Sequence, residues 1–339
     1  MVKVLFDVAG LVGYGYRTDD FYEVGREKIR EYARAVQDFH LAHWSEDAAG
    51  ELGYTGLIAP PTFLSTVAAV ANRRLLEIVT TAGYDAVVQT DQVFEMYKPV
   101  LTGDRLVSDV ELSSVRKIAG KDLITVTNTF IDQTGEVVQV MHTTLVGITI
   151  DHVDVGISDM IERVIMSGLD TAAEGMPTSA PNTATAANLS SISRTRVPRT
   201  AIRFEDIAVG DELPARTVRL TRGDLVNYAG VSGDVNPIHW HDAVAALAGL
   251  PDVIAHGMLT MGLGAGFVTA WLADPSAMTR YRVRLSNYTV IEAASAGSLE
   301  FTGRIKSVDS ETRTAVVSLV AKSSGRKVFG LATADVRLA

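Results

Sequence analysis

Asp234-Val235-Asn236-Pro237-Ile238-His239 places a carboxylate and an imidazole five residues apart across an Asn-Pro step. The proline keeps Asn236 out of the α region, so the chain turns here instead of continuing a helix. From such a turn both side chains can face one point. A carboxylate and an imidazole sharing one water are the minimum equipment for adding water to an activated double bond, or for removing it. The plainer reading is an ordinary Asn-Pro turn with a solvated Asp and His. His241 and His256 widen the choice, because with Asp234 and His239 they would make a zinc- or iron-type ligand set. His241 also opens a stretch, 241–248, that reads as a short helix. His256 reads more simply as a packing or capping residue beside the helix that follows.

That helix is the first element needed to position the pair. Residues 253–273 contain no Asp, Glu, Lys or Arg. Their length suits a membrane span, and Gly262-x-x-x-Gly266 resembles a membrane dimerisation face. Four glycines, His256, the absence of a basic flank, and Asp252 and Asp274 at the two ends argue instead for a soluble helix buried all round. A strongly curved sheet folded around one helix supplies such burial. Four strand-like runs follow, near 279–292, 297–308, 312–322 and 326–337, separated by Ala-Gly, Asp-Ser and Ser-Gly turn signals.

The chain also repeats itself. A shift of 196 residues places Tyr32-Ala33 on Tyr228-Ala229, Asp38 on Asp234, His43-Trp44 on His239-Trp240, Gly53 on Gly249 and Ile58-Ala59 on Ile254-Ala255. Each copy continues alike, with an apolar helix from 62 or 258 and four strand-like runs. In the first copy these runs lie near 86–98, 104–117, 121–133 and 136–150. So long a period means a duplicated domain and not a solenoid. We therefore expect domains at 1–150 and 201–339 joined by a linker, 151–200. Residues 170–200 are dominated by Ala, Thr, Ser, Asn and Pro and read as flexible, with a short helix expected over 157–168.

The chain has 339 residues, 47% apolar, with a formal net charge of −9. That balance predicts a soluble acidic protein with ample core, and it disfavours nucleic acid or anionic membrane as partners. The absence of cysteine excludes disulfides, thiolate metal sites and a cysteine nucleophile. MVKVLFDVAG is interrupted by Asp7 and has no clear cleavage site, so a cytoplasmic location is expected.

RGDLVNYAGVSGDVNPIHWHD followed by IAHGMLTMG resembles the hydratase motif of the MaoC-like, hot-dog-fold (R)-specific enoyl-thioester hydratases. YEVGREKIREYARAVQ, GLIAPPTF and TDQVFEMYKPVLTGDRL of the first copy are similar to the non-catalytic subunit of the mycobacterial-type (3R)-hydroxyacyl-carrier-protein dehydratases. The chain thus resembles a fusion of the non-catalytic and catalytic subunits. The likeness is weaker at 288–298, where relatives show a Pro-Val-x-Pro-Gly-Asp turn. It implies an α+β tandem (double) hot-dog fold, each half a long central helix wrapped by a curved antiparallel sheet, the sheets joined edge to edge. It also implies a 3-hydroxyacyl or trans-2-enoyl thioester substrate on acyl carrier protein or CoA, with no metal or organic cofactor and no membrane insertion. A homo-oligomer stays open.

Carried over residue by residue, the resemblance makes Asp234 and His239 the catalytic pair, gives Asn236 the shaping of the loop, and gives the backbone N–H of Gly257 the thioester oxygen. The chemistry agrees. A thioester C2 proton is weakly acidic, so a base and an oxyanion stabiliser must act together. Histidine is the natural base near neutral pH. A helix start offers unpaired N–H groups and the positive end of the dipole, and glycine admits close approach. The first copy keeps Asp38 and His43 but has His40-Leu41-Ala42 in place of Asn-Pro-Ile, and Pro61, preceded by Pro60, at the Gly257 position. Proline has no N–H, so the first copy reads as a degenerate domain lining the acyl channel, with Pro61 at a first helical position. Arg282 and Arg284 are candidate contacts to a pantetheine phosphate, or else a solvated strand face. Tyr228 and Trp271 read as core or loop support. The rival functions are a non-catalytic acyl-thioester binder and a thioesterase, which would want a carboxylate on the helix.

Overall fold

The computed structural model describes residues 8–81, 84, 86–148, 155–166 and 196–339. The first half runs β1 (Gly15–Arg17), β2 (Tyr22–Glu23), α1 (Arg26–Ala35), α2 (Glu46–Glu51), α3 (Ser65–Ala71), α4 (Arg73–Thr81), β3 (Ala86–Met96), β4 (Arg105–Ile118), β5 (Lys121–Ile131) and β6 (Val137–Ile148). Helix α5 (Val155–Val164) stands between the halves. The second half runs β7 (Glu212–Leu220), α6 (Arg222–Ser232), α7 (Asp242–Leu247), α8 (Gly257–Leu272), β8 (Met278–Leu285), β9 (Gly297–Asp309), β10 (Thr314–Ser323), β11 (Arg326–Lys327) and β12 (Phe329–Arg337).

One antiparallel sheet carries both halves. Outward from its centre, one side reads β3-β6-β5-β4-β1 and the other β8-β12-β10-β9-β7. These are the same strands of each repeat in the same order, so the duplication appears as a pseudo-twofold through the β3–β8 junction. There Phe94 pairs with Tyr281 and their rings stack at 6.2 Å. Arg284 meets Asp91 at 2.8 Å and Arg280 meets Glu95 at 3.3 Å. Strand β10 alternates buried and half-exposed residues, as a sheet with one face on a core requires.

Helix α8 is that core. It is apolar on every face and buried for most of its length, and no helix among the described residues is long and apolar enough to cross a membrane. Its glycines set the approach distance. A Cβ at Gly264 would stand 2.6 Å from the Tyr281 hydroxyl, and one at Gly262 2.6 Å from Cγ1 of Val36 in the other half. The two halves therefore share one core. Equivalent helices α1 and α6 pack together, with Tyr32 and Tyr228, repeat partners, 6.4 Å apart ring to ring. Trp271 packs against the core while only partly buried.

Three elements depart from their expected bounds. The apolar helix expected from 62 is two helices. After Pro60-Pro61 the chain makes i-to-i+3 turns, Phe63 N–H to Pro60 O, Ser65 to Thr62 and Thr66 to Phe63, before α3 begins. Pro61 therefore precedes the helix and does not open it. At Asn72 the helix breaks, and that side chain exchanges hydrogen bonds with Asn128 at 3.1 and 2.7 Å. The run expected at 279–292 leaves the sheet after Leu285. Residues 289–291 instead pair with the chain entering α8, Ala255 N–H to Thr289 O at 2.8 Å and Ile291 N–H to Val253 O at 2.9 Å. The helix expected at 157–168 is α5. Residues 170–195 of the expected linker lie outside the described residues. Its end is held firmly: the Arg196 guanidinium and the Arg199 N–H both bond Oδ2 of Asp274, at 3.1 and 2.7 Å.

Candidate active site

Helix α6 delivers the aspartate. It starts with a capping box between Thr221 and Asp224 and stops at Gly233, whose φ of 76° only glycine adopts without strain. Asp234 follows at once. Its Oδ1 accepts the Asn236 N–H at 3.3 Å, and Oδ1 of Asn236 accepts the Ile238 N–H at 3.3 Å. Asn236 thus caps the short turn Pro237–His239, the loop-shaping place expected for it. Trp240 anchors the loop from the other side, its indole N–H on Val235 O at 3.0 Å.

His239 ends the turn with its Nδ1 2.8 Å from Ile254 O. A carbonyl oxygen only accepts, so Nδ1 carries the hydrogen and Nε2 keeps its lone pair. Burial holds the His239 pKa below the usual 6.5, against the opposing pull of Asp234 and of the Ile254 carbonyl. The ring is therefore a neutral base at neutral pH.

His256 completes the cluster, and the spacing of the sequence did not reveal its part. It is wholly buried, its ring stacks on His239 at 3.8 Å and 28°, and its Nε2 lies 3.2 Å from Asp234 O. Burial first, then the charge of His239, pushes its pKa down to about 2. Ligand-type atoms of Asp234, His239 and His256 all lie within 4.8 Å of one another. His241 is elsewhere: its Nδ1 accepts the Val244 N–H and caps α7, so the expected ligand set is not assembled.

Gly257 is the first residue of α8, and among the described residues its N–H meets no acceptor. An added Cβ would stand 2.7 Å from Cδ1 of Leu285, the movable tip of a side chain. Beside the cluster lies a cavity of about 760 Å³. Asp234, Asn236 and Met258 line it, whereas His239 and Gly257 are not among its lining residues. The first half supplies much of the rest, from Ser65, Ala68 and Ala69 on α3 to Met141 and Leu145 on β6, while Ile161 of α5 and Ile165 just past its end also line it. Arg282 and Arg284 are not among its lining residues. The Arg284 guanidinium is paired with Asp91, and Nε of Arg282 is buried without a partner.

The first copy repeats the architecture around a different interior. Nδ1 of His43 bonds Ile58 O, the repeat partner of Ile254, at 2.6 Å. His40 stands in for Asn236, its Nδ1 accepting the Ala42 N–H at 3.2 Å. Asp38 and His43 are 3.3 Å apart. They are 2% and 0% exposed.

A fold of two wrapped helices sharing one sheet, with an acid–imidazole site in one half, defines a double hot-dog protein of dehydratase type. The comparisons agree. The FAS1-like dehydratase domain region model matches residues 10–141 and the MaoC like domain model matches residues 204–323. A solved MaoC-like dehydratase is 52% identical with a TM-score of 0.89, the likeness covering 98% of this chain and 100% of that one. A double-hotdog-fold protein of Mycobacterium tuberculosis shares the fold at 14% identity and a TM-score of 0.60, over 96% of both chains. A UPF0336 protein of Mycolicibacterium paratuberculosis is 46% identical over 138 residues, 40% of this chain and 87% of its own. This chain belongs to the MaoC-like dehydratases.

Proposed function

We propose that the chain interconverts (3R)-hydroxyacyl and trans-2-enoyl thioesters carried on CoA or acyl carrier protein, in fatty-acid metabolism. The observation that carries this reading is His239: its Nδ1–H is committed to Ile254 O, which leaves Nε2 free as a base within reach of the Asp234 carboxylate. In dehydration Nε2 takes the C2 proton, the C3–O bond breaks with its electron pair on oxygen, and the proton passes from Nε2 to that oxygen, which Asp234 positions. One C2 proton and one C3 hydroxyl leave as water. In hydration Asp234 holds the water that adds at C3. The developing enolate oxygen meets the Gly257 N–H at the positive end of α8. The acyl chain runs into the cavity walled by α3, β6 and α5.

The test is a 2-enoyl-CoA mixed with the protein while conjugated-thioester absorbance and free thiol are followed together. Loss of absorbance without thiol is the expected result. Thiol release would make the protein a thioesterase, and binding without either change would make it an acyl-thioester carrier.

A further inference from the structure

We propose that His256 is a positioning residue of this site, holding the Asp234 loop and the His239 ring in working register. The proposal rests on the hydration–dehydration reading. His256 occupies the N-cap of α8, where Ser, Thr, Asp or Asn would satisfy open helix amides, yet its side chain makes no capping bond. It turns away, and its Nε2 lies 3.2 Å from the carbonyl of Asp234. That oxygen can only accept, so Nε2 bears the hydrogen and Nδ1 bears a lone pair. Nδ1 is buried and has no partner. One face of the ring lies on His239 at 3.8 Å, and the next residue along the chain is Gly257. A single side chain therefore touches the backbone of the acid and the ring of the base, and stands beside the oxyanion donor, while leaving the helix amides uncapped.

Stability alone does not favour an imidazole here. A phenyl ring would stack as well and would remove the buried, unpartnered Nδ1, in exchange for the one hydrogen bond to the part-buried Asp234 carbonyl. The first copy shows the loop built without it. Pro60 stands at that position, and the Asp38 carbonyl is bonded by Trp44 Nε1 at 3.1 Å. In the second copy the corresponding tryptophan has moved one residue along, to Val235 O, and His256 has the aspartate carbonyl.

The experiment uses the full chain, with His256→Phe keeping the stack and losing the donor, and His256→Asn keeping an N–H donor and losing the ring. With a 2-enoyl-CoA as substrate, His256→Phe is expected to melt near the wild-type temperature, because the lost bond to Asp234 O and the removed orphan Nδ1 offset each other. Its kcat should fall by about 10²-fold, the scale of an ångström-level misplacement, with KM within about twofold. His256→Asn is expected to recover part of that loss. Wild-type turnover in His256→Phe, or a fall in melting temperature that parallels the fall in kcat, would overturn the proposal. Imidazole 15N spectra of the wild-type protein test it without substrate: His256 should be the Nε2–H tautomer, and an Nδ1–H tautomer would overturn it. Should the wild-type chain hydrate no enoyl thioester, the reaction assignment falls, and the tautomer and melting results still judge the geometry.

Discussion

Gln37 and Gly233 end equivalent helices in the same left-handed turn, with φ of 49° and 76°, and each is followed by an aspartate. The two halves then share the bond of a histidine Nδ1 to an isoleucine carbonyl. What separates them is the burial of the carboxylate. Both aspartates border a cavity, of about 760 Å³ at Asp234 and about 610 Å³ at Asp38, but Asp234 is half-buried whereas the Asp38 side chain is buried beneath α8, where a Cβ on Gly266 would stand 3.3 Å from its carboxylate. Gln37 accepts strain that a glycine would not, and the second half holds it there through Gln37 Nε2 to Arg219 O and Arg216 to Gln37 O, both at 3.0 Å. The same local fold thus leaves its aspartate half-buried in the second half and buried against the second half's elements in the first. His256-Gly257 against Pro60-Pro61 marks the change in the sequence.

The largest expected effect falls on the open pair. Asp234→Asn and His239→Gln should each lower hydration of a 2-enoyl thioester by at least ~10²-fold with the melting temperature little changed. Acting on one water, they should combine to much less than the product of the single losses. Near-normal turnover in either single variant would erase the distinction between the halves.

At Gly257 the halves can be exchanged. Gly257→Pro imports the first-copy residue and removes the N–H, with an expected loss of ~10²–10³ in kcat. Gly257→Ala keeps the N–H and asks only that the tip of Leu285 move, so its loss should be much smaller. Equal damage from both would mean that crowding controls the position. Pro61→Gly in the first copy should awaken nothing, because the Asp38 and His43 side chains remain buried.

The duplication, the buried helix and the Asp–His pair were legible because each is written locally: in a repeat, in a run without charges, in an Asn-Pro turn. Helix α3 breaks at Asn72 because of a partner on β5, and β8 ends at Leu285 because residues 289–291 pair with the chain entering α8. Neither partner is near in sequence. His256 read as packing or capping because its stack on His239 exists only after the loop and α8 meet. The exchange of His256 for Pro60 between copies was the available signal. The lining role of α5 was equally hidden, since its distance from the site along the chain says nothing of its place in space.

A several-fold effect should come from that wall. Ile161 of α5 and Ile165, just past its end with its N–H on Ile161 O at 2.8 Å, are both half-buried and both line the cavity. Ile161→Trp should lower kcat/KM for long 2-enoyl thioesters by several-fold while sparing the four-carbon substrate, and Ile161→Ala should shift preference toward longer chains. The same proportional change at every chain length would remove α5 from the acyl path.

The smallest effect on turnover is expected where the chemistry looks most complete. Burial raises the pKa of Asp38, but His43 and the His40 N–H outweigh it and hold the carboxyl below its usual 3.8. Its folded-state pKa is depressed, so the stability it contributes is present above about pH 3.8 and is lost as pH falls through the folded value. Asp38→Asn should leave turnover within a few-fold of wild type. It should nevertheless cost at least about 1–3 kcal/mol at neutral pH, the penalty of disturbing a buried hydrogen-bonded polar group. Denaturant melts from pH 7 to pH 3 check the sign: the gap between wild type and Asp38→Asn should narrow toward the acid end. A gap that is constant with pH would mean that Asp38 packs without being charged. A turnover loss as large as that of Asp234→Asn would mean that the buried pair takes part in the reaction, and the two halves would then differ in burial alone.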